Sequence, residues 1–210
     1  MKLNPKNKPK LLFLTEFFPQ NKKLIFTGGV EARTYYLSQA AKKDFKTKII
    51  YSNSQKIAAT PFSIFSRLNY MVTSFIKAIK TDFDLIEGSN TTTYLPAFLA
   101  GKFKKKPTIA WIPDVLDKDW FKFGFFVGLF GFILEKTNLK LNWDQIIALS
   151  QSTKQKLINA NIKKDKIIVA YGGINPNEFK TKVYKKFPQF TIISIARLVK
   201  TKRIKDLVDA

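Results

Sequence analysis

Four stretches of this sequence carry residues whose types and spacing could do chemistry. The first is Thr27-Gly28-Gly29-Val30-Glu31, which follows an apolar run and a loop and opens a helical pattern. Glycine allows close backbone approach, and the unpaired N–H groups of a helix N-terminus favour a phosphate. The dinucleotide fingerprint G-x-G-x-x-G is absent, and a plain turn before a helix would read the same way. The second stretch, Ile195 to Arg203, sets Arg197 and Lys202 between an apolar run and a helical pattern. Two cations leaving the carboxyl end of a parallel strand could hold a diphosphate, although a solvated basic turn is the plainer reading. The third, Ile168 to Phe179 (IVAYGGINPNEF), is an apolar run leading into a glycine-rich turn.

The fourth stretch is Trp120 to Leu134, with unbroken apolar or glycine residues from Phe123 to Leu134. A membrane span needs about 20 such residues, so this run is too short to cross a bilayer. It reads either as an interfacial segment or as a buried helix or hydrophobic loop. In the interfacial reading Phe123, Phe126 and Phe130 insert among acyl chains, flanked by Lys118, Lys122, Lys136 and Lys140.

Absent residue types narrow the chemistry further. The 210 residues include no cysteine and no histidine. That excludes zinc sites of the usual ligand types, a disulfide framework, a thiol nucleophile and a Ser-His-Asp hydrolase. No metal or cofactor is expected. The 37 basic residues against 15 acidic give a net charge of +22, which favours anionic partners. Only four of the basic residues are arginine (Arg33, Arg67, Arg197 and Arg203). Nucleic-acid recognition favours the guanidinium fork, so a nucleic-acid partner is disfavoured, and A/T-rich codon usage would itself enrich Lys, Phe, Ile and Asn. The polar start MKLNPKNKPK has no signal-peptide pattern, and the expected location is cytoplasmic, peripheral on the inner face of the membrane if the aromatic run is interfacial.

The elements that must position these stretches alternate along the chain. Short apolar runs at Leu11–Phe18, Lys48–Tyr51, Leu85–Ile86, Thr108–Ile112, Gln145–Leu149 and Lys166–Val169 read as buried parallel strands. Ser63 to Lys80 repeats apolar residues at the helical period and predicts one helix. A second helix should start at Val30, and a third after Leu149 with Ser152 and Gln155 at capping-box spacing. Strand alternating with helix predicts an α/β, doubly wound Rossmann-like parallel sheet. Phe179 to Gln189 is lysine-rich and aperiodic and reads as a linker, after which Thr191–Ala196 predicts a new strand and Arg203–Ala210 a helix.

Taken in order, five segments resemble the family-4-type glycosyltransferases of the GT-B fold. They are TGGVEARTYYLSQAA, DLIEGSNTTTYLPAFLAGKFKKKP, DQIIALSQSTKQKLI, IIVAYGGINPNEF and TIISIARLVKTKRIKDLVDA. The resemblance implies an acceptor-side domain over residues 1–179, a linker over 180–190, and the start of a truncated donor-binding domain over 191–210. It implies retaining transfer of a sugar from a nucleotide-sugar to a glycan, lipid-linked or small-molecule acceptor, by a longer protein of which this piece would be inactive alone. In that scheme Gly28, Gly29, Arg197 and Lys202 bind the donor phosphates. Pro113-Asp114 stands where the family often has His-Asp, which leaves Asp114 as a candidate substrate ligand. The alternative is a non-catalytic module that binds a membrane surface or an anionic polymer.

Overall fold

The structure is a computed structural model that describes residues 8–19, 26, 28–52, 61–173, 185, 187–196, 198 and 202–210. Six strands, β1 (Lys10–Thr15), β2 (Lys46–Tyr51), β3 (Leu85–Gly88), β4 (Thr108–Ile112), β5 (Gln145–Ala148) and β6 (Ile167–Val169), pair in the order β2-β1-β3-β4-β5-β6. Every pairing is parallel. The expected α/β Rossmann-like sheet is therefore present, and each of the six apolar runs contributes its strand. One boundary differs in a way that matters. The first strand stops at Thr15 rather than Phe18, because Glu16 leaves the ladder and turns its carboxylate toward neighbouring helices.

Helices connect successive strands: α1 (Gly29–Ala41), α2 (Pro61–Ile79), α3 (Thr91–Lys104), α4 (Phe125–Leu139) and α5 (Gln151–Asn159). The single helix expected over Ser63–Lys80 is α2, and the helix expected from Val30 is α1. The cap of α5 differs from the sequence reading. Ser150, not Ser152, holds the N-cap, with its Oγ accepting from the Thr153 N–H at 3.1 Å. The helix thus begins two residues earlier than a Ser152–Gln155 box would place it.

Register places Leu12, Leu14, Ile86, Ala110, Ile112, Ile146, Ala148 and Ile167 on one face of the sheet, where they join Phe83, Ala97, Ala100 and Trp143 in the main core. The helix α3 packs closely on this face because of Gly101. A Cβ at that position would lie 2.1 Å from Thr108 Cγ2 and 3.1 Å from the Lys106 carbonyl. The buried Tyr70 of α2 donates to the Thr15 carbonyl at 2.6 Å and reaches the Ile50 carbonyl at 3.1 Å, tying that helix to the ends of β1 and β2.

The helix α2 meets the core along only one edge of the apolar stripe that marks it in the sequence, through Phe75 and Ile79. Its innermost residues are Tyr70, Ser74 and Ala78, whereas Phe65, Leu68, Val72 and Ile76 are exposed. At 100° per residue those two sets lie on roughly opposite sides of the helix. The stripe predicts the helix but does not specify its facing: small and hydrogen-bonding residues are what the tight contact with the sheet admits.

The chain divides into two compact units, Met1–Gly172 and Gly173–Ala210. In the second, Thr191–Ala196 does not form the expected strand, and Ile193 and Ile195 are 67% and 96% exposed. A strand needs a partner for its backbone N–H and C=O groups, and none pairs with this segment among the described residues. A six-residue helix, α6 (Ile204–Asp209), forms within the stretch expected to be helical. Most of the predicted linker lies outside the described residues.

The Gly101 contact gives a direct test of the fold. Gly101→Ala should destabilise the protein by about 1–3 kcal/mol, since Thr108 is β-branched and held in a strand and cannot step aside. Urea denaturation would check this, and an unchanged midpoint would contradict the packing described.

Candidate functional site

The chain leaves β1 toward β2 on one side and returns through α2 to β3 on the other, so the topological switch point lies between β1 and β3. Doubly wound sheets bind ligands at the carboxyl ends of their strands at that point. Glu16 follows β1 there, and Ser89 and Asn90 follow β3. Glu16 is 5% exposed and satisfied by three side chains. Its Oε1 accepts from Arg67 Nε at 2.9 Å, and its Oε2 accepts from Asn90 Nδ2 at 3.1 Å and from Thr92 Oγ1 at 2.9 Å. Asn90 closes the ring by accepting from the Glu16 N–H at 3.0 Å. A second carboxylate, Glu87 of β3, pairs with both terminal guanidinium nitrogens of Arg33 from α1 and accepts from Ser89 Oγ. Arg33 also lies 4.5 Å from the centre of the Trp111 ring.

Local sequence explains the placement. Asn90 takes an extended conformation, and its N–H donates to Thr93 Oγ1 at 3.1 Å, which starts α3 immediately after β3. Asn90, Thr91 and Thr92 are thereby presented at the sheet edge. Burial, followed by the nearby Glu16 carboxylate, pushes the Tyr70 phenol well above its ordinary value, so it remains a donor beneath the cluster.

Above this polar floor is a cleft of about 250 Å³, lined on one side by Glu16, Arg67, Asn90 and Thr92 and on the other by Trp120, Phe123, Phe130 and Leu134. The aromatic wall is a 3-10 stretch, Asp117–Phe123, seated on α4. Two glycines of α4 make the seat. A Cβ at Gly131 would lie 2.2 Å from the Trp120 ring, and one at Gly128 would lie 2.7 Å from Phe121 Cα. The buried Glu135 fastens the stretch from below by accepting from the Leu116 and Asp117 N–H groups at 2.9 and 2.8 Å. Trp120 Nε1 is buried with no acceptor among the described residues. Flat aromatic faces opposite a fixed array of carboxylate, guanidinium, amide and hydroxyl groups suit a ligand that has both C–H faces and hydroxyls.

The residues expected from sequence fall in several places. Asp114 follows β4, and its Oδ1 accepts from the Val115 N–H at 2.8 Å and from Lys156 of α5 at 2.7 Å; it does not line the cleft. Gly28 caps α1 in an extended conformation, and a Cβ at Gly28 or Gly29 would meet nothing within 4 Å. Neither close packing nor backbone conformation requires a glycine there. Phe123 and Phe126 are exposed, whereas Phe130 is half-buried and turns into the cleft. Lys202 is exposed in the second unit, and Arg197 lies outside the described residues. The cluster of Glu16, Arg67, Asn90 and Thr92 was not anticipated. Its one sequence signal is a charge, Glu16, within the apolar run LLFLTEFF.

No protein-family profile matches the sequence, and no curated protein does. Among solved structures, the chain is similar to HepE from Anabaena in complex with UDP-glucose, with a TM-score of 0.52 and 16% identity, covering 83% of this chain and 46% of that one. The UDP complex of HepE gives a TM-score of 0.50 over 82% of this chain and 46% of that one, again at 16% identity. The lipopolysaccharide outer core galactosyltransferase WaaB follows at a TM-score of 0.48 and 16% identity, over 79% of this chain and 46% of that one. The likeness establishes the fold: the sheet corresponds to one Rossmann-like half of the GT-B architecture found in glycosyltransferases. The chain spans about half the length of the structures it matches.

Gly131→Ala probes the cleft. The added methyl must displace the Trp120 ring, and we expect a shifted tryptophan emission with a stability loss of about 1–3 kcal/mol. Emission identical to the parent would contradict the seating of Trp120 on α4.

Proposed function

We propose that this chain is the acceptor-side half of a glycosyltransferase that moves a sugar from a nucleotide-sugar to a hydroxyl acceptor. The single observation that carries the reading is the cleft at the switch point, where an aromatic wall faces a pre-ordered polar floor. GT-B folds consist of two such halves, and the sheet supplies one. The acceptor would lie against Trp120 and Phe130 with its hydroxyls toward Arg67, Asn90 and Thr92.

In this reading Glu16 is a positioning residue. Its carboxylate oxygens already accept from three side-chain donors, and its role is to hold Arg67 and Asn90 in place. The transfer forms a bond from the acceptor oxygen to the anomeric carbon and breaks the bond from that carbon to the diphosphate. The acceptor hydroxyl passes its proton to the departing diphosphate, which leaves with the bonding electrons. Positive charge from Arg197 and Lys202 would stabilise the departing diphosphate, with Gly28 and Gly29 facing it when the two halves close. Retention of configuration belongs to the same proposal, as do the division at residues 179–191 and the assignment of this piece to a longer protein.

Acceptor binding is the part that this chain can test. Titration with neutral glycosides and alkyl glycosides should quench tryptophan emission saturably, and Asn90→Ala should weaken binding about tenfold, the value of one well-placed hydrogen bond. The chain alone should release no nucleotide from UDP-glucose. Saturable binding unaffected by Asn90→Ala, or no binding of any glycoside, would overturn the assignment of the cleft.

A further inference from the structure

The helices α2, α3 and α4 lie side by side on the core face of the sheet, and their outward surfaces are apolar. On α2 the exposed side is Phe65, Leu68, Val72 and Ile76, with Phe65 at 73% and Val72 at 59%. On α3 it is Leu99 and Phe103, the latter 71% exposed. On α4 it includes Phe125, Phe126 and Ile133, at 65%, 68% and 54%. A monomer seldom leaves so many large apolar side chains together in water.

The exposed charge of these three helices has one sign. No acidic residue occurs in α2 or α3. The sole acid of α4 is Glu135, which is buried beneath the 3-10 stretch. Exposed lysines border the patch at Lys77, Lys80, Lys118 and Lys140. The carboxylates on neighbouring segments, Asp82, Asp117, Asp119 and Asp144, are each paired with a lysine, Lys10, Lys136, Lys122 and Lys102. Among the described residues no helix is long and apolar enough to cross a membrane.

We infer that the outer face of α2, α3 and α4 docks on an anionic lipid surface, with the apolar side chains entering the interface and the lysines meeting the headgroups. This extends the expectation drawn from Phe123, Phe126 and Phe130. The surface covers three helices rather than one aromatic run, and Phe130 belongs to the cleft behind it. Lipid is favoured over a second copy of this chain because two such faces would oppose lysine to lysine. A bilayer provides anionic headgroups for the cations and acyl chains for the apolar side chains at the same depth. Facing explains the pattern of α2: Phe65, Leu68, Val72 and Ile76 point away from the protein core because they have another apolar phase to enter. The inference does not depend on what the cleft binds.

Co-sedimentation of the 210-residue chain with phosphatidylglycerol and phosphatidylcholine vesicles tests it, in about 0.1 M and about 0.5 M NaCl, where screening differs strongly. Binding should be strong on the anionic vesicles at low salt and should fall as salt rises. The exposed pair Val72→Asp with Ile76→Asp, and separately Phe126→Asp with Leu129→Asp, should each reduce partitioning by about tenfold or more. Circular dichroism and the thermal midpoint of both variants should match the parent. Phe190→Asp, at a 94%-exposed site in the second unit, should leave partitioning unchanged. Loss of binding only in the α4 pair would overturn the three-helix surface in favour of the aromatic run alone. No binding to anionic vesicles would overturn lipid docking altogether. So would a dimer in sedimentation velocity that the Val72/Ile76 pair dissociates, since the face would then be a protein interface.

Discussion

The Glu16 carboxylate holds the site together. It is buried at the end of β1, where an ion that lost its partners would cost several kcal/mol. Four elements meet on it or at its backbone: the carboxyl end of β1, the N-terminal half of α2 through Arg67, the Asn90 turn after β3, and the first turn of α3 through Thr92. The pairing fixes where α2 and α3 begin relative to the sheet edge. It also fixes the polar floor of the cleft, because the groups that would meet a ligand are the same groups that neutralise Glu16. The neighbouring Arg33–Glu87 pair does similar work on the other face of the sheet, tying α1 to β3 beneath Trp111. Site and scaffold are one network here, and a change at either carboxylate acts on both.

Opposite that floor, shape rather than charge controls the structure. The 3-10 stretch reaches the cleft only because Gly128 and Gly131 leave room for Phe121 and Trp120. Filling the inner side of α4 in this way leaves Phe125, Phe126 and Ile133 no place but the outer surface. The same division appears on α2, where Tyr70, Ser74 and Ala78 take the close contacts and Phe65, Leu68, Val72 and Ile76 point outward. The helical layer therefore has two apolar sides, one closed against the sheet and one open.

Strand positions were legible because a parallel sheet covered by helices needs short, continuous apolar runs, and these are visible without knowing the topology. The resemblance to GT-B glycosyltransferases was legible from the order of five segments, and the sheet order agrees with it. Helix facing was not legible. Periodicity marks a stripe on α2 but does not say whether core or another apolar phase receives it. The cluster around Glu16 was also hidden, since its partners lie 51 to 76 residues from Glu16 in sequence and only the crossing of the chain at the switch point unites them. Thr191–Ala196 shows the opposite failure. Its composition suits a strand, but composition cannot supply the partner edge that a strand requires.

A double-mutant cycle between Glu16 and Arg67 tests the central claim most directly. Glu16→Gln, Arg67→Met and the pair together would be compared by urea denaturation. The side chains are 6% and 17% exposed, so the interaction is shielded from water. The account predicts a coupling energy of about 2 kcal/mol or more, with each single variant destabilised and the double variant less so than their sum. Additivity within about 0.5 kcal/mol would contradict it, and Glu16 would then be a bystander at the end of β1 rather than the group on which the site is built.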